Sequence, residues 1–305
     1  MTKRIAVLMG GWSVEREVSL VSGRAVANAL AASDYCISTI DVTRDISALL
    51  SALDPKPNVV FNALHGRFGE DGCVQGLLEM LGIPYTHSGV LASAIAMDKP
   101  MTRHLFNEAG IPHPEGKIVP KATAEKTHPM EPPYVLKPLN EGSSIGVRLV
   151  LEKESIPGLG ANWSFGEHVL VERYIPGREI CVAVMGETAL GAIEIQPKEG
   201  FYDYAAKYTA GRATHQLPAT IAVEAYEEAL ELGLRAHRAL GCRGVSRADL
   251  RYDDSEGEPG KFYVLEVNTQ PGMTPLSLVP EIAAHAGLSF TELVTWMVED
   301  ARCEG

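Results

Sequence analysis

GVSRADLRY (residues 244–252) and FYVLEVNTQPGMT (residues 262–274) read as two strands separated by the polar turn DDSEGEPG (253–260). Side chains two apart on a strand point the same way. Arg247 and Asp249 therefore share one face of the first strand, and Glu266 and Asn268 share one face of the second. If the strands are hairpin neighbours, two carboxylates and an amide oxygen converge. Such an all-oxygen set suits a hard cation, Mg²⁺ or Mn²⁺, with Arg247 beside it to hold an anion. The same alternation also suits the solvent face of an ordinary hairpin. The tail NTQPGMT favours a site, because Pro271 and Gly272 cut the strand short and expose backbone N–H groups.

Upstream, YVLKP (134–138) and VRLV (147–150) flank LNEGSSIG (139–146). Glycines let a backbone approach phosphate oxygens, serine hydroxyls and N–H groups donate to them, and Lys137 adds a point charge. Neither common phosphate-loop template, G-x-x-x-x-G-K-[ST] or G-x-G-x-x-G after the first strand, occurs, so a phosphate site here belongs to another nucleotide fold. Asp98 reads as the N-cap of a helix carrying Lys99 and Arg103, and HVLVERYI (168–175) as a further strand.

The N-terminal region alternates strand and helix. RIAVLM (4–9) ends at Gly10-Gly11, and a helix follows to about Ala32 with Ser13 as its N-cap. NVVFNALHG (58–66) is a buried-type strand, CVQGLLEMLG (73–82) a helix closed by Gly82, and IPYTH (83–87) a third strand. This order predicts a parallel sheet covered by helices. Glu15 at a helix start is favoured by the helix dipole and equally suits recognition of an ammonium. His65 ends a strand, where α/β sheets place ligands; a structural histidine fits there as well.

In the last third, EICVAVM (179–185) and TALGAIEI (188–195) form a hairpin about Gly186-Glu187. Residues 198–218 lack periodicity and read as a long loop, with Tyr202, Tyr204, Lys207 and Tyr208 suited to closing over a ligand. A helix follows with Ala225, Ala229, Leu232, Ala236 and Leu240 on one face, closed by Gly241. The units expected are 1–97, 98–176 and 177–305.

Hydrophobic residues make up 46% of the 305 residues and charged residues 22%, an ordinary globular balance. The net charge of −12 argues against nucleic acid or an anionic membrane as main partner. Five scattered cysteines without a Cys-x-x-Cys pair fit a reducing cytosol, most of them as small core residues. No signal peptide or membrane span is legible, so a soluble cytoplasmic protein is expected.

Taken together, GGWSVEREVSL (10–20), NALHGRFGEDGCVQGLLE (62–79), MDKPMTRHL (97–105), VLKPLNEGSSIGV (135–147), VERYIPGREI (171–180), FYDYAAKY (201–208), RADL (247–250) and LEVNTQPGMTPLSLVP (265–280) resemble the successive signatures of D-alanine–D-alanine ligases, in order and over almost the whole chain. The resemblance implies an ATP-grasp architecture of three α/β and α+β units, ATP held between the second and third, and a homodimer. It implies that Lys99 and Lys137 contact the ATP phosphates, that the segment from Glu172 through Tyr174 to Ile175 receives the adenine, that Glu179 receives the ribose, and that Lys207 lies in the nucleotide site. Asp249, Glu266 and Asn268 would bind two Mg²⁺ or Mn²⁺ ions. Glu15 would hold the first D-alanine ammonium, linked through Ser143 and Tyr208 to the closing loop. Arg247 and the Gly272 N–H would serve as oxyanion donors, and Ser277 and Leu278 would contact the second D-alanine, with His65 near the first. The rivals are a D-alanine–D-lactate ligase, another ATP-grasp carboxylate–amine ligase, and a nucleotide-binding regulator without turnover; FYDYAAKY, the Glu15 segment and the intact Arg247, Asp249, Glu266 and Asn268 respectively argue against them.

Overall fold

A computed structural model describes residues 2–153, 159, 163–198 and 211–304. Its first sheet runs β2 (Tyr35–Val42), β1 (Lys3–Gly10), β3 (Val59–Asn62), all parallel. Alternate residues of β1 feed two separate cores, as a period of two requires: Ile5 and Val7 pack with α1 (Arg16–Ala31), Ala6 and Leu8 with α3 (Cys73–Leu81). α2 (Ile46–Ala52) and α4 (Val90–Met97) complete this region.

Two local expectations change. Glu15, not Ser13, occupies the N-cap of α1. The Ser13 hydroxyl is instead spent on donating to the His65 carbonyl, 2.7 Å, while accepting the Glu15 N–H at 3.1 Å. IPYTH makes no strand; Tyr85 alone forms isolated bridges, parallel to Val60 on one side and antiparallel to Arg302 on the other. Gly82 does close α3 in the left-handed conformation.

A second, antiparallel sheet has the order β4 (Gly116–Pro120), β7 (His168–Arg173), β5 (Tyr134–Lys137), β6 (Arg148–Val150), preceded by α5 (Lys99–Glu108), which Asp98 caps by accepting the Met101 N–H; α6 (Lys121–Ala124) follows β4. The third sheet, also antiparallel, runs β10 (Ala213–Gln216), β9 (Thr188–Pro197), β8 (Arg178–Met185), β11 (Val245–Asp253), β12 (Lys261–Asn268). Strand β10 lies inside the stretch expected to be one long loop. Its alternation is short and polar, and it is held by edge pairing to β9 rather than by an apolar face. Residues 199–210, with Tyr202, Tyr204, Lys207 and Tyr208, lie outside the described residues. On one face of the sheet α7 (Val223–Ala239) packs Ala225, Ala229 and Leu232 against Ile180, Val182 and Leu250. On the other, α8 (Leu278–His285) and α9 (Phe290–Asp300) join Cys181, Ala183 and Ile193 to the Ile5–Val7 core. The five cysteines are free, but only Cys181 is buried, so the expectation that most are core residues fails. No helix among the described residues is long and apolar enough to cross a membrane.

The hairpin of β11 and β12 contains a bulge. Asp249 pairs with Glu266, yet Leu250 pairs with Val264, leaving Leu265 as the extra residue. The bulge shifts the parity of β12. Phe262 and Val264 before it and Val267 after it all reach the same buried core, while Glu266 and Asn268 turn to the face of Arg247 and Asp249.

Sheets one and three are pinned by polar groups as well as by the shared core. Asn62, at the end of β3, donates to Gln270 Oε1 at 2.7 Å and to the Gly69 carbonyl at 2.9 Å; Gln270 Nε2 donates to the Leu64 carbonyl. Both side chains are essentially inaccessible. Removing one member of such a pair strands a buried partner. We expect Asn62→Ala and Gln270→Ala each to lower the unfolding free energy in urea by about 1–3 kcal/mol. The double variant should lose less than the sum, a coupling of about 1 kcal/mol. Strict additivity would mean the two amides do not act as a unit.

Candidate active site

The carboxyl edge of the first sheet, the β5–β6 loop and the β12 tail enclose one cleft. It brings together Glu15, Ser143, Lys99, Arg247, Glu266, Asn268, Gly272 and Ser277, together with His65 and Leu278. Asp249 stands directly behind Arg247. Lys137, Glu172, Tyr174, Ile175 and Glu179 do not line this cleft.

Glu15 is buried at the start of α1 and accepts a hydrogen bond from the Ser143 hydroxyl. Ser143 and Ser144 are held at φ 51° and 58°. That left-handed conformation costs a non-glycine residue on the order of 1 kcal/mol or more and persists where surroundings enforce it. Gly66, at φ 69°, allows the loop to approach: a Cβ there would lie 2.8 Å from Glu15 Oε2. His65 is buried with Nε2 3.3 Å from Ser22 Oγ and Nδ1 3.9 Å from Glu70.

On the hairpin face Arg247 grips Asp249 with two parallel contacts, Nε to Oδ1 at 2.6 Å and Nη2 to Oδ2 at 2.8 Å, a bidentate geometry that fixes both side chains. Behind them the Cys181 thiol donates to Asp249 Oδ1 at 3.1 Å. Burial, helped by the Asp249 charge, raises its pKa well above the ordinary thiol value, so it stays a donor. Asn268 Oδ1 accepts the Gln270 N–H at 2.9 Å. Lys99 donates to the Glu141 carbonyl and lies 3.9 Å from Glu266. Burial pulls its pKa down, with the nearby Glu266 charge opposing. No group of three His, Cys, Asp or Glu set for a metal is found among the described residues. The donor set here is two carboxylates and an amide, with Asp249 directly across the hairpin from Glu266 and Arg247 from Asn268.

In the β12 tail a Cβ on Gly272 would lie 2.8 Å from Ser277 Oγ, so glycine lets the turn close. That hydroxyl accepts the Thr274 N–H at 2.9 Å and lies 2.8 Å from Thr274 Oγ1.

Beside the cleft, Glu172 is buried between Lys137, 2.5 Å, and Arg103, 2.6 Å. Burial pushes its carboxyl up, but the two cations outweigh that and hold it below the ordinary range. Glu179 lies 3.8 Å from Arg251, which donates to the carbonyls of Ile175 at 3.2 Å and Gly177 at 2.6 Å and so shapes the 172–179 segment. Arg103, Arg251, Asn62, Gln270, Glu70 and Cys181 carry no role in the sequence reading. Two of them had a visible signal: Asn62 is a polar residue closing a buried-type strand, and Gln270 sits inside the singled-out NTQPG tail.

Comparison with known proteins agrees in family and extent. Two family models match, "D-ala D-ala ligase N-terminus" over residues 47–88 and "D-ala D-ala ligase C-terminus" over residues 105–299. The chain is 55% identical over 306 residues to the D-alanine–D-alanine ligase B of Mesorhizobium japonicum, covering 99% of each chain. It is 57% identical over 305 residues to the D-alanine–D-alanine ligase of Methylorubrum populi, with the same coverage. The crystal structure of the Bacillus anthracis D-alanine–D-alanine ligase complexed with ATP is similar with a TM-score of 0.82 at 31% identity, covering 98% of this chain and 97% of that one.

The Glu172 charge has a pH signature. A carboxylate whose folded pKa is depressed stabilises the fold above its unfolded pKa, about 4.3, and loses that contribution as pH falls through the folded value. The urea stability gap between the parent chain and Glu172→Gln should be full at neutral pH and shrink below about pH 4. A gap that stays constant with pH would show that Glu172 acts through packing alone.

Proposed function

The chain belongs to the D-alanine–D-alanine ligase family, and on that premise we propose how its residues share the chemistry of joining two D-alanines at the expense of ATP. The product serves peptidoglycan precursor synthesis. The observation that carries the reading is a convergence. A buried carboxylate suited to an amino-acid ammonium, Glu15, opens into the same cleft as Lys99, Arg247, Glu266 and Asn268.

The first D-alanine is anchored by its ammonium on Glu15, which the Ser143 hydroxyl orients. Its carboxylate then lies toward the γ-phosphate of ATP. Lys99 and Lys137 stand against the phosphates, the 172–175 segment against the adenine and Glu179 against the ribose. Attack of the carboxylate on the γ-phosphorus gives D-alanyl phosphate and ADP. Asp249, Glu266 and Asn268 would hold Mg²⁺ or Mn²⁺, two ions in all, through an all-oxygen set of the kind hard cations take. Such ions neutralise the charge on the transferring phosphoryl group.

The amine of the second D-alanine, positioned against Ser277 and Leu278, attacks the acyl carbon. Arg247, fixed by its two contacts to Asp249, and the Gly272 N–H stabilise the tetrahedral oxyanion. Preorganised donors of this kind are worth about 3–4 kcal/mol each, because they need no reorganisation as charge develops. The C–O bond to phosphate breaks and the dipeptide forms. His65 completes the wall around the first substrate. Lys207 and Tyr208, outside the described residues, are assigned on the family premise to the nucleotide site and to the Ser143–Glu15 link. The same premise carries the three units 1–97, 98–176 and 177–305, a homodimer and a cytoplasmic location. In support of the division, each unit holds one of the three sheets.

Purified protein with ATP, Mg²⁺ and D-alanine should release ADP and phosphate and form D-alanyl-D-alanine. L-alanine should be inert, and D-lactate a poor second substrate. ADP release only with L-amino acids would overturn the reading. Arg247→Met should lower kcat by about a hundredfold or more with little change in the KM for D-alanine, since the oxyanion exists only after the amine attacks. A pure KM effect would make Arg247 a substrate anchor instead.

A further inference from the structure

A second cavity, of about 460 Å³, opens at the carboxyl edge of the first sheet, against residues that follow β1, β2 and β3. That volume is in the range of small-molecule sites, and this edge of a parallel sheet is where ligands collect. The cavity shares His65 with the active-site cleft but is otherwise separate from it. Its wall is apolar, formed by Val42, Ile46, Leu49, Leu64, Val74 and Leu77.

Three features of its rim have no use in the ligase chemistry. The first is Trp12, whose Nε1–H is buried with no acceptor among the described residues. A buried donor left unmade costs about 1–3 kcal/mol, so an acceptor that reached it would recover that cost. The second is Phe68, at φ 70°, a strained backbone for a bulky residue. That turn presents its ring to Trp12, 5.2 Å between centroids, with the side chain 37% exposed. The third is a pair of guanidinium groups. Arg44 lies over Trp12 at 5.7 Å and Arg67 over Phe68 at 5.3 Å, and neither makes an ion pair among the described residues. Most neighbouring carboxylates are already engaged, and Glu141, in the active-site cleft, feels the Arg67 charge but makes no ion pair with it among the described residues. Asp41 is held by Arg16, Asp45 caps α2, and Asp71 accepts the N–H groups of Phe68 and Cys73. A guanidinium stacked on a ring keeps its N–H fork available for a carboxylate.

We propose that this cavity is a second ligand site that takes a small aromatic carboxylate, its ring against the apolar wall and Trp12, its carboxylate between Arg44 and Arg67. Charge complementarity selects the class: an apolar slot capped by two cations and an unused indole N–H favours an amphipathic anion over a neutral ligand.

Phenylacetate and its neutral near-isostere phenylacetamide test this on the full chain by calorimetry and tryptophan fluorescence. Phenylacetate should bind saturably, one per chain, and phenylacetamide about tenfold more weakly or worse, the loss expected for a charge-assisted contact. The double variant R44Q/R67Q should weaken phenylacetate by about tenfold while leaving ADP release with D-alanine unchanged. Trp12→Phe should weaken binding and abolish the ligand-induced fluorescence change, although Trp163 and Trp296 remain. Equal binding of acid and amide, or R44Q/R67Q binding like the parent chain, would overturn the proposal, the latter by placing the probe in the active site. So would a lack of saturable binding combined with subunit dissociation of the Trp12→Phe chain, which would make the cavity an interface between copies.

Discussion

The cleft proposed to carry the reaction opens on a seam between the first and third sheets, and the seam depends on two buried amides that cannot be satisfied apart. Asn62 ends the parallel sheet and Gln270 follows the last strand of the antiparallel one. Each completes its hydrogen bonds only when the other is in place. Their geometry sets the distance between the segment that shapes the Glu15 pocket and the tail that carries Asn268, Gly272 and Ser277. The Gln270 N–H also donates to Asn268 Oδ1, so the same residue orients a proposed metal ligand. Hydrophobic burial supplies most of the adhesion at this seam. It is non-directional, whereas the amide pair accepts one register.

A second constraint acts within the hairpin. The bulge at Leu265 lets one strand feed a core with Phe262, Val264 and Val267 and still turn Glu266 and Asn268 toward Asp249. A regular strand of this sequence would have to bury a carboxylate or expose two large apolar side chains. The Arg247–Asp249 pair, backed by the Cys181 thiol, then holds the face rigid. The pair adds little net stability, because a buried ion pair repays little beyond its own desolvation.

Much of this was legible in the sequence. That Arg247 shares a face with Asp249, and Glu266 with Asn268, follows from strand periodicity, and their meeting from reading the two strands as hairpin neighbours, which the register bears out. The Asp98 cap, the Gly82 closure and the β8–β9 hairpin follow from local turn chemistry. The bulge was not inferred, although the apolar residues of β12 switch parity between Val264 and Val267, which only an extra residue can reconcile. The partners of buried polar groups were also missed. That Glu172 would sit between Lys137 and Arg103, or that Ser13 would serve His65 rather than the helix, depends on which segments meet in space. Strand β10 was hidden because an edge strand with no apolar face has no periodic signature.

On the proposed reading the carboxylate of one D-alanine is activated as a mixed anhydride with phosphate before the amine of the other attacks. The most direct measurement follows oxygen. D-alanine labelled with ¹⁸O in its carboxylate is turned over with ATP, and the inorganic phosphate is analysed by mass spectrometry. Attack on the γ-phosphorus and later cleavage of the C–O bond require one carboxylate oxygen to leave with each phosphate, so the phosphate should carry one ¹⁸O per dipeptide formed. Unlabelled phosphate, with the carboxylate ¹⁸O lost on dipeptide formation released to water instead, would mean that ATP is hydrolysed by water and that the acylphosphate route assigned to this cleft is wrong.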